Sequence, residues 1–282
     1  MRDYLANEVR NIVLMGHSGA GKSSVVEAAL YFTQATDRLG KTGDGTSVMD
    51  NDAEEIKRGL SVYTSIAPVE WKECKINFID TPGYLDYEGE AQCGIAVGDN
   101  ALIVVGAKDG VESGTEKAWK IVTRKKLPTI FFINKIDEEN ASFDQTYNQL
   151  REHFGKTVIP FEVPITSAGK VVGSVNILRK KAWYYDDRTT PKEVPDELKE
   201  IVEEYYNQIA EAIAIADDEL MEKFFSGESF DEHEVAKGLR IGVRNGDIRP
   251  VYCGSATQVT GIERLLDLIR EYFPSYAEKG MI

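Results

Sequence analysis

The chain has 282 residues, 42% of them hydrophobic and 28% charged, and a formal net charge of −14. That length suits one large domain, or one domain with a substantial insertion, around a sizeable core. The negative field excludes binding of naked nucleic acid by counterion release, and no apolar run approaches the length of a bilayer.

The first ten residues are charged and lack the apolar stretch of a secretory signal. Cys74, Cys93 and Cys253 form no CxxC pair and read as reduced thiols of a cytoplasmic protein. His17, His153 and His233 show no zinc spacing. Asn11–Met15 reads as a buried strand running into a glycine-rich turn, then a helix from Ser23 to about Gln34. Gly40–Gly45 is polar and reads as a mobile loop. Ser61–Trp71 and Lys75–Asp80 read as neighbouring strands joined by a turn at Lys72–Cys74. Ala101–Val105 and Thr129–Ile133 are further apolar runs, with helical stretches between them. This alternation predicts an α/β fold with a mostly parallel sheet and helices on both faces. The middle breaks the rhythm: 159–185 is β-rich, 189–195 is a polar link, and 197–225 is acidic and helical, with a further helix at 231–245. A last strand, Pro250–Cys253, and a closing helix over 261–273 resume the α/β pattern. The expected division is a nucleotide-binding domain over 1–157 and 249–282, with an inserted α+β subdomain over 158–248.

Gly16-His17-Ser18-Gly19-Ala20-Gly21-Lys22-Ser23 fits GxxxxGK[ST] where a strand gives way to a helix. Its backbone N–H groups and helix N-terminus suit phosphate, with Ser24 just inside the helix. Lys22 is expected on the β- and γ-phosphates and Ser23 on Mg²⁺. Asp80-Thr81-Pro82-Gly83 follows a strand, placing Asp80 for the metal's water shell and the Gly83 N–H for a γ-phosphate. Ser61 is a candidate second metal hydroxyl, ordering the loop before it. Asn134-Lys135-Ile136-Asp137 selects the base: Asp137 can accept from guanine's ring N–H and its amine, which adenine lacks. The stem of Lys135 covers the base and Asn134 ties the loop to the P-loop. Ser255 and Ala256 follow the last strand, where backbone N–H groups can reach the guanine carbonyl. Together these motifs specify a P-loop NTPase of the three-layer α/β/α G-domain type.

The motifs GHSGAGKS, KRGLSV, INFIDTPGY, FFINKID and VYCGSA, with the long insertion before the last, resemble the translational GTPases, and elongation factor G in particular. The resemblance spans essentially the whole chain. It implies GTP hydrolysis with Mg²⁺, GTP and GDP as ligands, and a cytoplasmic monomer that meets the ribosome through further domains. The chain is thus expected to be the first domain of a longer factor. Four positions depart from the family pattern: Tyr84 replaces the histidine that positions the attacking water, Gly19 replaces an aspartate, Ser18 replaces an apolar residue, and Ser61 replaces threonine. The first three touch water activation, as in the divergent, paralogous branch of such proteins. Catalysis is therefore expected from Lys22, Gly83 and Tyr84, slowly in the isolated chain. The alternatives are a nucleotide-sensing module with negligible hydrolysis and the G domain of a ribosomal protection protein.

Overall fold

The apolar runs become strands because their side chains have a helix layer to meet on each face. The computed structural model describes residues 2–228 and 230–279; Met1, Ser229 and 280–282, including both outer limits of the expected domain, lie outside the described residues. In chain order, β1 (Val9–Met15) leads to α1 (Lys22–Phe32), α2 (Ala53–Arg58), β2 (Ser65–Trp71) and β3 (Cys74–Asp80). Then come α3 (Glu88–Val97), β4 (Asn100–Gly106), α4 (Ser113–Lys125), β5 (Thr129–Asn134), α5 (Phe143–Phe154) and β6 (Val158–Pro160). The middle holds β7 (Glu162–Ser167), β8 (Lys170–Asn176), β9 (Lys181–Tyr184) and β10 (Asp187–Lys192), then α6 (Lys199–Ala216), α7 (Asp218–Phe225) and α8 (Glu232–Asn245). The chain returns through β11 (Arg249–Cys253), α9 (Ile262–Tyr272) and α10 (Tyr276–Lys279).

Seven strands form one sheet in the order β2-β3-β1-β4-β5-β11-β6. Only β2 runs antiparallel, to β3; the other pairs are parallel. Every residue of β4 and β5 is buried, as strands covered on both faces require. On one face α1 and α9 pack together. On the other, Trp119 of α4 stacks on Phe154 of α5 at 4.7 Å between ring centroids. The chain leaves β1 toward β3 on one side and β4 on the other, so the sheet has a switch point where loops part and a ligand can enter. A second, antiparallel sheet, β10-β9-β8-β7, follows.

The structure corrects two expectations and adds detail to two others. The second strand begins at Ser65, not Ser61, because Glu55 accepts the Val62 and Tyr63 N–H groups at 3.0 and 3.1 Å and diverts them from the sheet. The loop after α1 contains a short helix, α2, begun by Asp52, whose carboxylate accepts the Glu54 N–H at 2.8 Å. The polar stretch from 189 is not a link but part of the edge strand β10. Val158–Pro160, at the start of the expected insertion, pairs with β11 in the large sheet.

Candidate nucleotide site

Parallel strands end on the same edge, so the loops after β1, β3, β5 and β11 converge there. The P-loop turn rests on glycine: Gly21 has φ 93°, a left-handed conformation that other residues rarely adopt. Lys22 is buried and curls back, its Nζ donating to the carbonyls of His17 at 3.1 Å and Gly16 at 3.4 Å. Burial holds its ammonium below the ordinary lysine range, while Asp80 and Asp50 pull it back up. Gly83 lies directly on this lysine. A methyl group there would strike Nζ of Lys22 and come within 2.8 Å of the Ser18 backbone, so only glycine lets the DTPG turn approach the P-loop.

Asp80 is 2% exposed, and its Oδ1 has no hydrogen-bond partner. Burial pushes its carboxyl up to about 6, against the pull of Lys22 and the Ser23 hydroxyl. The Ser23 and Ser61 hydroxyls meet at 3.1 Å. Asp50, also buried with an unpartnered Oδ2, completes the group; burial raises its carboxyl, and hydrogen bonds from Ser61 and Thr42 oppose the rise. Two hydroxyls and two orphaned carboxylate oxygens are hard donors, and they fit a Mg²⁺ that shares its shell with water and phosphate.

Asn134, 1% exposed, ties three loops together. Its amide donates to the Ala20 carbonyl at 3.0 Å, and its Oδ1 accepts the Ala256 N–H at 3.0 Å. The exposed Asp137 accepts from the Thr257 hydroxyl at 3.4 Å, so the loops after β5 and β11 also meet at their tips. Ser255 and Thr260 pair backbone to backbone and close the second of these loops. Lys135 is half-buried in a left-handed conformation, φ 64°. His17 turns away toward α4, where its Nδ1 accepts the Gly114 N–H at 3.2 Å. Ser18 and Ser24 are half-buried beside the loop. Tyr84 stands apart from the converged groups, 46% exposed, at the mouth of a cleft between α3 and α4.

Asp50, Glu27 and Glu55 escaped the sequence reading. Their signals were present but local: Glu27 is a lone charge inside the apolar run Val25-Val26-Glu27-Ala28-Ala29-Leu30, and Asp52 and Glu55 have the spacing of a capping box.

The family model for the elongation factor Tu GTP-binding domain matches residues 7–275. The chain belongs to this family. It is a translational GTPase G domain. A crystal structure of a Thermus thermophilus protein superimposes with a TM-score of 0.91 at 33% identity, over 97% of this chain and 41% of that one. The chain therefore spans less than half the length of that protein. Among the described residues, no helix is long and apolar enough to cross a membrane.

Proposed function

We propose that this domain binds GTP and GDP with Mg²⁺ and hydrolyses GTP, as the first domain of an elongation-factor-G-like protein that acts on the ribosome from the cytoplasm as a monomer. The Asn134 bridge carries the reading: one buried amide joins the P-loop to the loop that presents Ala256, and Asp137 stands beside them. Phosphate-binding and base-reading residues are thereby held in one frame.

In this frame Gly16, His17, Gly19, Ala20, Gly21 and Ser24 wrap the phosphates, and Lys22 exchanges its two carbonyl partners for phosphate oxygens. Ser23, Ser61 and Asp80 would hold Mg²⁺ through their hydroxyl and carboxylate oxygens, and the ion would supply positive charge against the phosphates. Gly83 offers its N–H toward the γ-phosphate, where charge develops during hydrolysis. Asp137 pairs with the guanine edge, while Lys135 covers the base and Ser255 and Ala256 line its carbonyl side. Residues 158–248 act as an inserted unit, with the strand Val158–Pro160 rooted in the large sheet. A nucleotide-sensing module with negligible hydrolysis is the second reading, favoured by the exposure of Tyr84.

A competition titration with GTP, ATP and XTP tests the base assignment. GTP is expected to outcompete ATP by at least about a hundredfold, since adenine leaves the Asp137 carboxylate unpaired. Asp137→Asn is expected to shift preference to XTP, because an amide can donate to xanthine's carbonyl. Equal affinity of the parent chain for GTP and ATP overturns the assignment.

A further inference from the structure

Glu27 lies on α1 five residues beyond Lys22 and is fully buried, yet no lysine or arginine pairs with it among the described residues. A loop holds one of its oxygens instead, while Oε2 is buried without a hydrogen-bond partner. Oε1 accepts the Ser47 hydroxyl at 2.7 Å, the Val48 N–H at 2.5 Å and the Met49 N–H at 3.0 Å. The Ser47 hydroxyl in turn accepts the N–H groups of Met49 at 3.1 Å and Asp50 at 3.0 Å, making a tight turn over the carboxylate. Gly40 crosses the other oxygen so closely that a methyl group there would collide with Oε2. Downstream, Met49 is buried and its carbonyl accepts the Ser65 hydroxyl at 2.8 Å. Glu55 fixes the far end by accepting the N–H groups just after Ser61. Between these two anchors the chain has little choice but to deliver Asp50 and Ser61 to Lys22 and Ser23.

We propose, on the guanine-nucleotide reading given above, that Glu27 is a positioning residue: it latches residues 47–50 to the phosphate-binding helix and thereby sets Asp50 and Ser61 at the metal position. Glu27 itself touches neither nucleotide nor metal. The physical basis is the cost of an unmade bond. A buried carboxylate stripped of its donors is strongly unfavourable, so the loop closes onto Glu27 in preference to other conformations. The closed loop contributes chiefly to ligands that engage the Ser61 hydroxyl, which are those with a γ-phosphate. GDP, held chiefly by the P-loop and the base-reading loops, gains little from it.

The test compares GDP with a non-hydrolysable GTP analogue, each as a fluorescent derivative, over a Mg²⁺ titration. The parent chain, Glu27→Ala and Ser47→Ala are measured, with hydrogen exchange over residues 47–50 read in parallel. Glu27→Ala is expected to weaken the GTP analogue at least tenfold, to leave GDP within about threefold, and to raise the Mg²⁺ concentration needed for half-saturation. Ser47→Ala removes one donor to Glu27 at a buried position with the loss of a single hydroxyl, and is expected to shift the same ratio in the same direction by a smaller factor. Faster exchange over 47–50 accompanies both. Equal weakening of the two nucleotides, or an unchanged ratio in Ser47→Ala, overturns the latch and leaves Glu27 a packing residue of α1. A parent chain that binds neither nucleotide overturns the guanine-nucleotide reading itself, and the latch with it.

Discussion

The carboxylates of Glu27, Asp80 and Glu162 are among the buried ones, and their surroundings differ in what they offer the charge. Glu27 has three donors. Asp80 has the Lys22 ammonium and an oxygen left open. Glu162, at the start of β7, has neither oxygen hydrogen-bonded, with Arg264 of α9 no closer than 3.8 Å. Burial therefore pushes Glu162 up to about 8, and Arg264, with the nearby Ser174 hydroxyl, only partly offsets the rise. The fold holds this proton where the unfolded chain, with a carboxyl near 4.5, releases it. Stability from Glu162 is therefore fully present below pH 4.5 and is lost as pH rises to 8, by about 1.4 kcal/mol per pH unit at most. Glu162→Gln keeps the neutral shape and cannot ionise. Urea denaturation should show the parent losing stability relative to Glu162→Gln between pH 5.5 and 8.5, with the gap levelling off above that. Parallel curves for the two proteins across this range would show that the buried carboxyl is already ionised in the fold.

At the scale of elements, the parallel core was legible because burial on both faces forces unbroken apolar runs, as in Ala101–Val105 and Thr129–Ile133. The P-loop, DTPG and NKID were legible because each sits at a strand end, where local chemistry and topology agree. The missed pieces lacked periodicity. β10 is an edge strand paired only with β9, so polar residues and Pro191 are tolerated there and no alternation marks it. α2 has six residues, too few to show a 3.6-residue stripe. It forms because Asp52 and Glu55 satisfy each other's free N–H groups and Gly59 takes the left-handed exit. Asp52→Ala removes that cap, at a cost of about 1 kcal/mol. Since Glu55 in this same turn holds Val62 and Tyr63, fraying should spread forward past Ser61. Amide exchange over residues 53–63 is expected to accelerate about fivefold, with β4 and β5 unaffected. Unchanged exchange over 53–63 would leave the cap without a role in placing Ser61.

For the molecule as a whole, the binding machinery is internally braced and the hydrolytic machinery is not. Lys22, Asp80, Asn134 and Ala256 are all buried and linked through side-chain bonds or charge, so the residues proposed to bind nucleotide are held in place within the domain itself. Water attack needs a group that holds the nucleophile in line with the γ-phosphate. The backbone at Gly83 is firmly placed, but the next side chain, Tyr84, is 46% exposed on the rim of the α3–α4 cleft beside Glu88, Gln92 and Lys117. Holding a water from there costs side-chain entropy that nothing in the domain offsets. Neither Gly19 nor Ser18 supplies a carboxylate or a dry wall in compensation. A surface that closes over this rim could fix Tyr84, and the ribosome is the proposed partner with that opportunity. Single-turnover GTP hydrolysis is therefore expected to be slow in the isolated chain and faster with ribosomes when the full-length protein is used. Tyr84→Phe should lower the ribosome-stimulated rate about tenfold, through loss of the hydroxyl, while nucleotide affinity stays within about threefold. If phenylalanine matches the parent with and without ribosomes, Tyr84 has no part in orienting water, and the nucleotide-sensing reading becomes the stronger one.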